Sequence, residues 1–176
     1  MQTISVAIAP PDKENSEDSY TAYQIACGPW QLAVDAQWAT SFLDNYVLQP
    51  IAHSPQWLLG GTNVDGILIP VIDLFTLLDP AAARIHGVDQ KSRLLLGSHS
   101  LGENEDAIGL LFTGLPRLLN FTLAALSANL ETPPLLCRMA KGLALAPDGI
   151  TAIALDTRHL IDHCISQLGA RDRASN

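Results

Sequence analysis

Gly60-Gly61-Thr62-Asn63-Val64-Asp65-Gly66-Ile67-Leu68-Ile69-Pro70-Val71-Ile72-Asp73-Leu74 is the stretch on which the reading of the chain turns. Asp65-Gly66 suits a two-residue type I′ turn, in which both central residues take positive φ and glycine does so without steric cost. Gly60 to Val64 and Gly66 to Ile72 are therefore the arms of a β-hairpin. Ile67, Ile69 and Val71 share one face of the second arm, while Leu68 and Ile72 make its other face apolar as well. A strand apolar on both sides is expected to be covered on both sides. Pro70 has no N–H to give a ladder, so it marks an edge or a bulge. Asp73 is placed to cap a short helix, Leu74 to Leu78.

Outward from the hairpin the signals are mostly of strands. Tyr20 to Cys27 and Trp30 to Val34 flank the turn pair Gly28-Pro29. Asp35 to Tyr46 is a polar–apolar mixture, followed by an irregular passage with Pro50 and Pro55. After a polar connection (Ala81 to Ser92), Arg93 to Leu96 and Ile108 to Phe112 read as a second hairpin with a long acidic loop, Ser98 to Asp106. Leu115 to Phe121 continues as strand, Leu123 to Leu130 is ambiguous, and Pro133-Pro134 ends it. Pro147-Asp148-Gly149 is a strong turn signal before a last strand, Ile150 to Leu155. Asp156 then caps a closing helix reaching about Leu168.

One internal echo stands out. Val71 to Leu78 and Ala154 to Ile161 share a design of strand, capping Asp and short helix. Two such units, each too small to hide its own apolar surface, imply a common core. Residues 1–19 read as an extension, with Ile4, Val6 and Ile8 alternating ahead of an acidic run, and residues 169–176 as a tail. Residues 20–168 then form the folded body.

Composition narrows the function. The 176 residues carry a net charge of −8 and are 48% hydrophobic and 16% charged, with a mean hydropathy of +0.19 and a pI near 4.8. An acidic chain suits neither a phosphate backbone nor an anionic membrane surface. The apolar excess suits faces covered by partners. No basic leader opens the chain, and the longest uncharged stretch, Asn45 to Val64, is broken by prolines and glycines and cannot span a bilayer. The cytoplasm is the default location. Cys27, Cys137 and Cys164 are odd in number and widely spaced, as expected of reduced thiols buried as small hydrophobes.

Reactive chemistry is sparse in the sequence. The Gly60–Gly66 run lacks the Lys-Ser/Thr of a phosphate loop, and a strand rather than a helix follows it. His159 and His163 fall on one face of the closing helix, as two metal ligands would. A third ligand would have to come from Cys137, Asp162 or elsewhere, and a solvent-facing polar stripe is the alternative. None of the thiols has an activating frame. Asp35, Asp73 and Asp156 could serve as a carboxylate pair, but capping explains Asp73 and Asp156 better. Trp38 or Trp57 could anchor a partner; core packing is the better reading of Trp57, beside Leu58-Leu59.

Pro55 to Leu74 closely resembles the most recognisable stretch of CheW-like domains, which runs through Asn-Leu-Arg-Gly to Pro-Val-Ile-Asp-Leu. The similarity extends over roughly residues 20–165, through Trp30 to Val34, Ile108 to Phe112 and Ile153 to Ile161. The resemblance implies an all-β fold of two interlocked five-stranded SH3-like β-barrel subdomains sharing a hydrophobic core, with short helices. It implies a non-catalytic adaptor without cofactors that binds the regulatory domain of a CheA-type histidine kinase and the cytoplasmic tip of a chemoreceptor. The receptor tip would lie in a groove between the barrels. Residue by residue, Gly60 stands at a position associated with kinase docking. Ala39, Ser41 and the turn Asn63, Val64, Asp65 and Gly66 lie where the family contacts receptor or kinase. Leu115 and Leu118 match apolar positions on the groove side of the second barrel.

Three departures qualify the match. Asp65 replaces the family's Arg, Ser41 its Glu, and Thr113 its Asp. An anion in place of a cation reverses the local field and repels a carboxylate partner. The departures point to a divergent accessory adaptor, of the kind found in type IV pilus (twitching) pathways. Gly60→Asp is expected to abolish kinase binding with the fold intact. The alternatives are an SH3-like interaction module in another regulatory system, and a small metal- or thiol-dependent enzyme.

Overall fold

A computed structural model describes residues 19–83, 92–101, 104–126 and 132–174. The N-terminal extension read from the sequence lies outside these residues up to position 18. In chain order the elements are β1 (Ser19–Cys27), β2 (Trp30–Asp35), β3 (Ala39–Leu43), β4 (Leu58–Val64) and β5 (Ile67–Asp73). Next come α1 (Leu74–Leu78), α2 (Pro80–Ala83), β6 (Ser92–Leu101) and β7 (Asn104–Ala124), then α3 (Pro134–Met139), β8 (Ala140–Leu145), β9 (Thr151–Leu155) and α4 (Thr157–Ala174).

These strands make two units. Five close a ring, β1–β2–β9–β8–β7 and back to β1. This is the terminal barrel, built from both ends of the chain. The central barrel follows the path β3–β6–β7–β5–β4. The 21-residue strand β7 belongs to both: Asn104 to Thr113 pairs with β6, and Thr113 to Thr122 with β1. It turns from one barrel to the other at Gly114 (φ +80°), whose carbonyl accepts a hydrogen bond from Arg93. The sequence reading had separated this strand into two pieces.

The gap between β3 and β4 is spanned by residues 44–50. Gln49 N–H donates to the Gly61 carbonyl (2.7 Å) and Gly61 N–H to the Gln49 carbonyl (2.9 Å). Tyr46 and Leu48 pack inward, while Val47 between them is 76% exposed.

Alternation along the strands now explains the runs that are apolar throughout. On β6, Leu94 and Leu96 fill the central barrel, and Leu95 between them enters the core shared by both barrels. On β9, Ala152 and Ala154 line the terminal barrel, and Ile153 and Leu155 face the shared core. Opposite faces of one strand thus meet two different interiors. Six alanines and Phe121 make up the buried interior of the terminal barrel, because five strands enclose a narrow lumen in which larger side chains would overpack. The shared core is the largest cluster. It joins Ile25, Leu32 and Val34 to Leu95, Leu110 and Phe112, and is roofed by α1, α3 and α4.

The internal echo is structural. Asp73 accepts from the N–H groups of Phe75 and Thr76 at the start of α1, and Asp156 from the His159 N–H at the start of α4. Asp73 N–H donates to the Trp57 carbonyl, Asp156 N–H to the Met139 carbonyl. Each hairpin carries a bulge at matching places, Leu58/Gly60 and Ala140/Gly142. At both bulges a Cβ would strike a neighbouring carbonyl: Gln49 O at 2.2 Å from Gly60, Ala124 O at 2.4 Å from Gly142.

Several expectations need correction. β6 and β7 pair through Leu101↔Asn104, so residues 98–101 and 104–106 of the acidic segment are paired strand rather than a long loop. β3, β8 and α3 were not read as elements. The closing helix continues past Leu168 to Ala174.

Candidate functional site

The tip of the β4–β5 hairpin carries four of the nine predicted contact residues, Asn63 to Gly66. Asp65 (φ +52°) and Gly66 (φ +87°) take the two positive-φ places of the turn, and Val64 pairs with Ile67 across it. Asn63 Oδ1 accepts from the Gly66 N–H (3.0 Å), closing the tip from within. Asn63, Asp65 and Gly66 are exposed and Val64 is half-buried against the central-barrel interior.

Beside this turn lie residues that the sequence reading missed. Ile67 is 64% exposed and Leu68 56%, so the expectation that both faces of the strand are covered fails at its first two positions. The cause is pairing length. β5 joins β7 only from Val71 onward, so among the described residues Ile67 to Pro70 have β4 as their sole ladder partner. Ile69 turns into the central barrel, while Ile67, Leu68 and Pro70 are left exposed. Pro70, which cannot donate, sits just before that second ladder begins, and was the one sequence signal for it. Leu68 reaches back over Gly61, within 2.7 Å of where a Cβ would be. Gly61 is in turn bonded to Gln49, and Val47 and Ile51, two residues to either side of Gln49, are also exposed. Exposed Ile, Leu and Val around a polar turn are characteristic of a surface that other proteins cover.

The remaining predicted residues are distributed over both barrels. Ala39 and Ser41 lie on β3, paired with Gly97 and Leu96 of β6; Ala39 packs partly on the shared core and Ser41 is exposed. Leu115 (75% exposed) and Leu118 (55%) lie on the terminal-barrel half of β7. Gly60 is buried under Gln49 with φ +140°. It shapes the bulge rather than presenting a surface, so the expectation that Gly60→Asp leaves the fold intact is overturned.

Neither tryptophan considered as an anchor is exposed. Trp57 is 7% exposed, and the Trp38 ring lies half-buried across Gly97. The thiols divide: Cys27 and Cys164 are buried as expected, but Cys137 is exposed, its sulfur against Thr132 Oγ1. Burial pushes the Cys27 thiol far up and the Cys164 thiol to about 12, which keeps both protonated and unreactive. Among the described residues no three His, Cys, Asp or Glu side chains form a group able to hold a metal. His163 is engaged with Gln167 instead. A cleft of about 280 Å³ at the start of β2 and β9 is lined by Trp30, Gln31, Thr132 and Thr151 among others, with no ionisable group among the described residues. Among the described residues no helix is long and apolar enough to cross a membrane.

Two interlocked barrels, a capped strand–helix unit in each and a protruding hairpin tip thus define the fold. The sequence matches the CheW-like domain over residues 26–164. The chain belongs to the CheW-like domain family. Its fold resembles that of the scaffolding protein TtCheW from Thermoanaerobacter tengcongensis, with a TM-score of 0.62 at 15% identity, covering 77% of this chain and 88% of that one. No curated protein matches the sequence. The CheW-like match spans the hairpin tip, Ala39, Ser41, Leu115 and Leu118 alike.

Proposed function

We propose that this chain is a non-catalytic coupling adaptor of a chemotaxis-like pathway in the cytoplasm, binding the regulatory domain of a CheA-type histidine kinase. The observation that carries the proposal is the β4–β5 tip. There a self-closed polar turn, Asn63 to Gly66, adjoins Ile67 and Leu68, which the chain itself leaves exposed. Apolar side chains on a rigid hairpin lose little conformational freedom when a partner covers them, which favours docking. Ala39, Ser41, Leu115 and Leu118 supply the further contacts, including those to a receptor tip. Gly60 acts indirectly, by setting the bulge from which the hairpin projects.

Asp65 at the tip, with Ser41 and Thr113, adapts the adaptor to partners other than standard chemoreceptors, as in a pathway controlling type IV pili. The test is titration of the purified chain with a CheA-type regulatory domain. Binding is expected, weakened about tenfold or more by Ile67→Asp with an unchanged melting temperature. Absence of binding to any such domain would favour an SH3-like module of another regulatory system. Full replacement of a standard CheW by the unmodified chain in array assembly would overturn the divergent-adaptor reading, whereas Asp65→Arg is expected to move the chain toward such replacement.

A further inference from the structure

Trp57 leads into β4, and its indole N–H donates to the side-chain amide of Gln167 on α4 at 3.1 Å. An indole nitrogen only donates, so the Gln167 atom it meets is the carbonyl oxygen. The other end of that amide, an NH₂ group, lies 2.9 Å from His163 Nε2. An amide NH₂ also only donates, so Nε2 accepts and carries no proton. His163 is therefore the neutral imidazole with its hydrogen on Nδ1. His163 and Gln167 are four residues apart, on one face of α4.

We propose that Trp57, Gln167 and His163 form a proton-operated latch, which fastens α4 to the approach of β4 while His163 is neutral and releases it on protonation. A proton on Nε2 would face the NH₂ group, donor against donor. If the amide turned over to offer its carbonyl to the imidazolium, the indole N–H of Trp57, on a residue only 7% exposed, would lose its acceptor. The two ends of the amide face different residues, so its carbonyl is turned toward either Trp57 or His163. The charged or titratable groups bearing on His163 are Arg138 on α3 and His159 one turn back on α4. Partial burial opposes its protonation most, followed by these two neighbours. Asp162 precedes it on the helix and is exposed; from the β4 side the residue that meets Gln167 is the uncharged Trp57. The latch grips the segment whose backbone holds Asp73, three residues before Gly60. Its operation does not depend on which partner the hairpin docks.

The test uses the full chain alone, followed by nuclear magnetic resonance from about pH 8 to about pH 5, where histidine titrates. The nitrogen shifts of His163 at the high end are expected to report the Nδ1–H tautomer. The indole proton of Trp57 is expected to move with the same midpoint as His163. Trp57→Phe frees the Gln167 carbonyl to turn toward the imidazolium, and should raise the His163 midpoint although no ring nitrogen of Trp57 meets His163. Gln167→Glu can accept from both donors, and should raise that midpoint by roughly one unit or more. An Nε2–H tautomer, an indole signal that ignores the His163 titration, or a midpoint unmoved by Trp57→Phe would each overturn the proposal. Should Trp57→Phe fail to fold, the indole titration of the unmodified chain decides.

Discussion

Replacing Gly60 by alanine isolates what this residue does. Its φ of +140° lies where L side chains are strained, and a Cβ there would sit 2.2 Å from the Gln49 carbonyl oxygen and 2.8 Å from its carbon. Both obstacles are backbone, so no flexible side chain can swing aside. Strain at such a position costs about 1–3 kcal/mol. Moving Gln49 away also breaks its two hydrogen bonds to Gly61, each contributing about 0.5–1.5 kcal/mol. The expected loss is about 4 kcal/mol, near the middle of the summed range, or a fall in melting temperature of roughly 8–16 °C for a domain of this size. Gly66→Ala is the control. It also has positive φ (+87°) but nothing within 4 Å of a new Cβ, so its cost is only the left-handed backbone penalty of about 1–2 kcal/mol. Urea unfolding and thermal melts followed by circular dichroism measure both. A Gly60→Ala protein that melts no lower than Gly66→Ala would refute the reasoning. The same experiment bears on partner binding: a Gly60 variant that loses it does so through a displaced bulge, which a large fall in stability would reveal.

Leu95→Ala should cost about 2–5 kcal/mol as a cavity in the shared core, and Ala154→Leu about 1–3 kcal/mol by overfilling the terminal barrel; chemical denaturation compares the two. Alkylation of the native protein near pH 8 should label Cys137 rapidly and leave Cys27 and Cys164 untouched until denaturant is added, as mass spectrometry would count. Because the folded-state pKa of His163 lies below its ordinary value, its contribution is complete above about pH 6.5. It declines as the pH falls toward the folded pKa, since the unfolded chain binds the proton more readily. Melting temperatures should therefore drop across that window, and His163→Asn should flatten the drop.

Local chemistry was what the sequence showed most clearly. The Asp65-Gly66 turn, the caps Asp73 and Asp156 and the paired strand–helix units each rest on a few adjacent residues, so their signals are short-range. β8 was hidden because Ala140, Gly142 and Ala144 are poor strand formers by propensity; small residues are what its approach to Ala124 and the narrow lumen demand. α3 was hidden behind Pro133-Pro134, read as a stop, whereas Pro134 occupies the first turn, where a missing N–H costs nothing. The polar and acidic residues of 98–106 masked the ends of β6 and β7, because such residues have low strand propensity even where two consecutive strands pair. At the site the turn was legible and its apolar neighbours were misjudged. Ile67 and Leu68 read as buried because sequence alone did not say where the β7 partner begins.

The sharing of strands has a consequence for how the protein is born. β1 and β2 leave the ribosome first, yet β2 waits for β9 and the ring for β8, more than a hundred residues later. Until then the earliest-made ribbons show raw edges to every other nascent chain nearby. The central unit, whose staves are consecutive apart from one end of β7, can assemble meanwhile and serve as the anvil on which the older half is finally hooped shut.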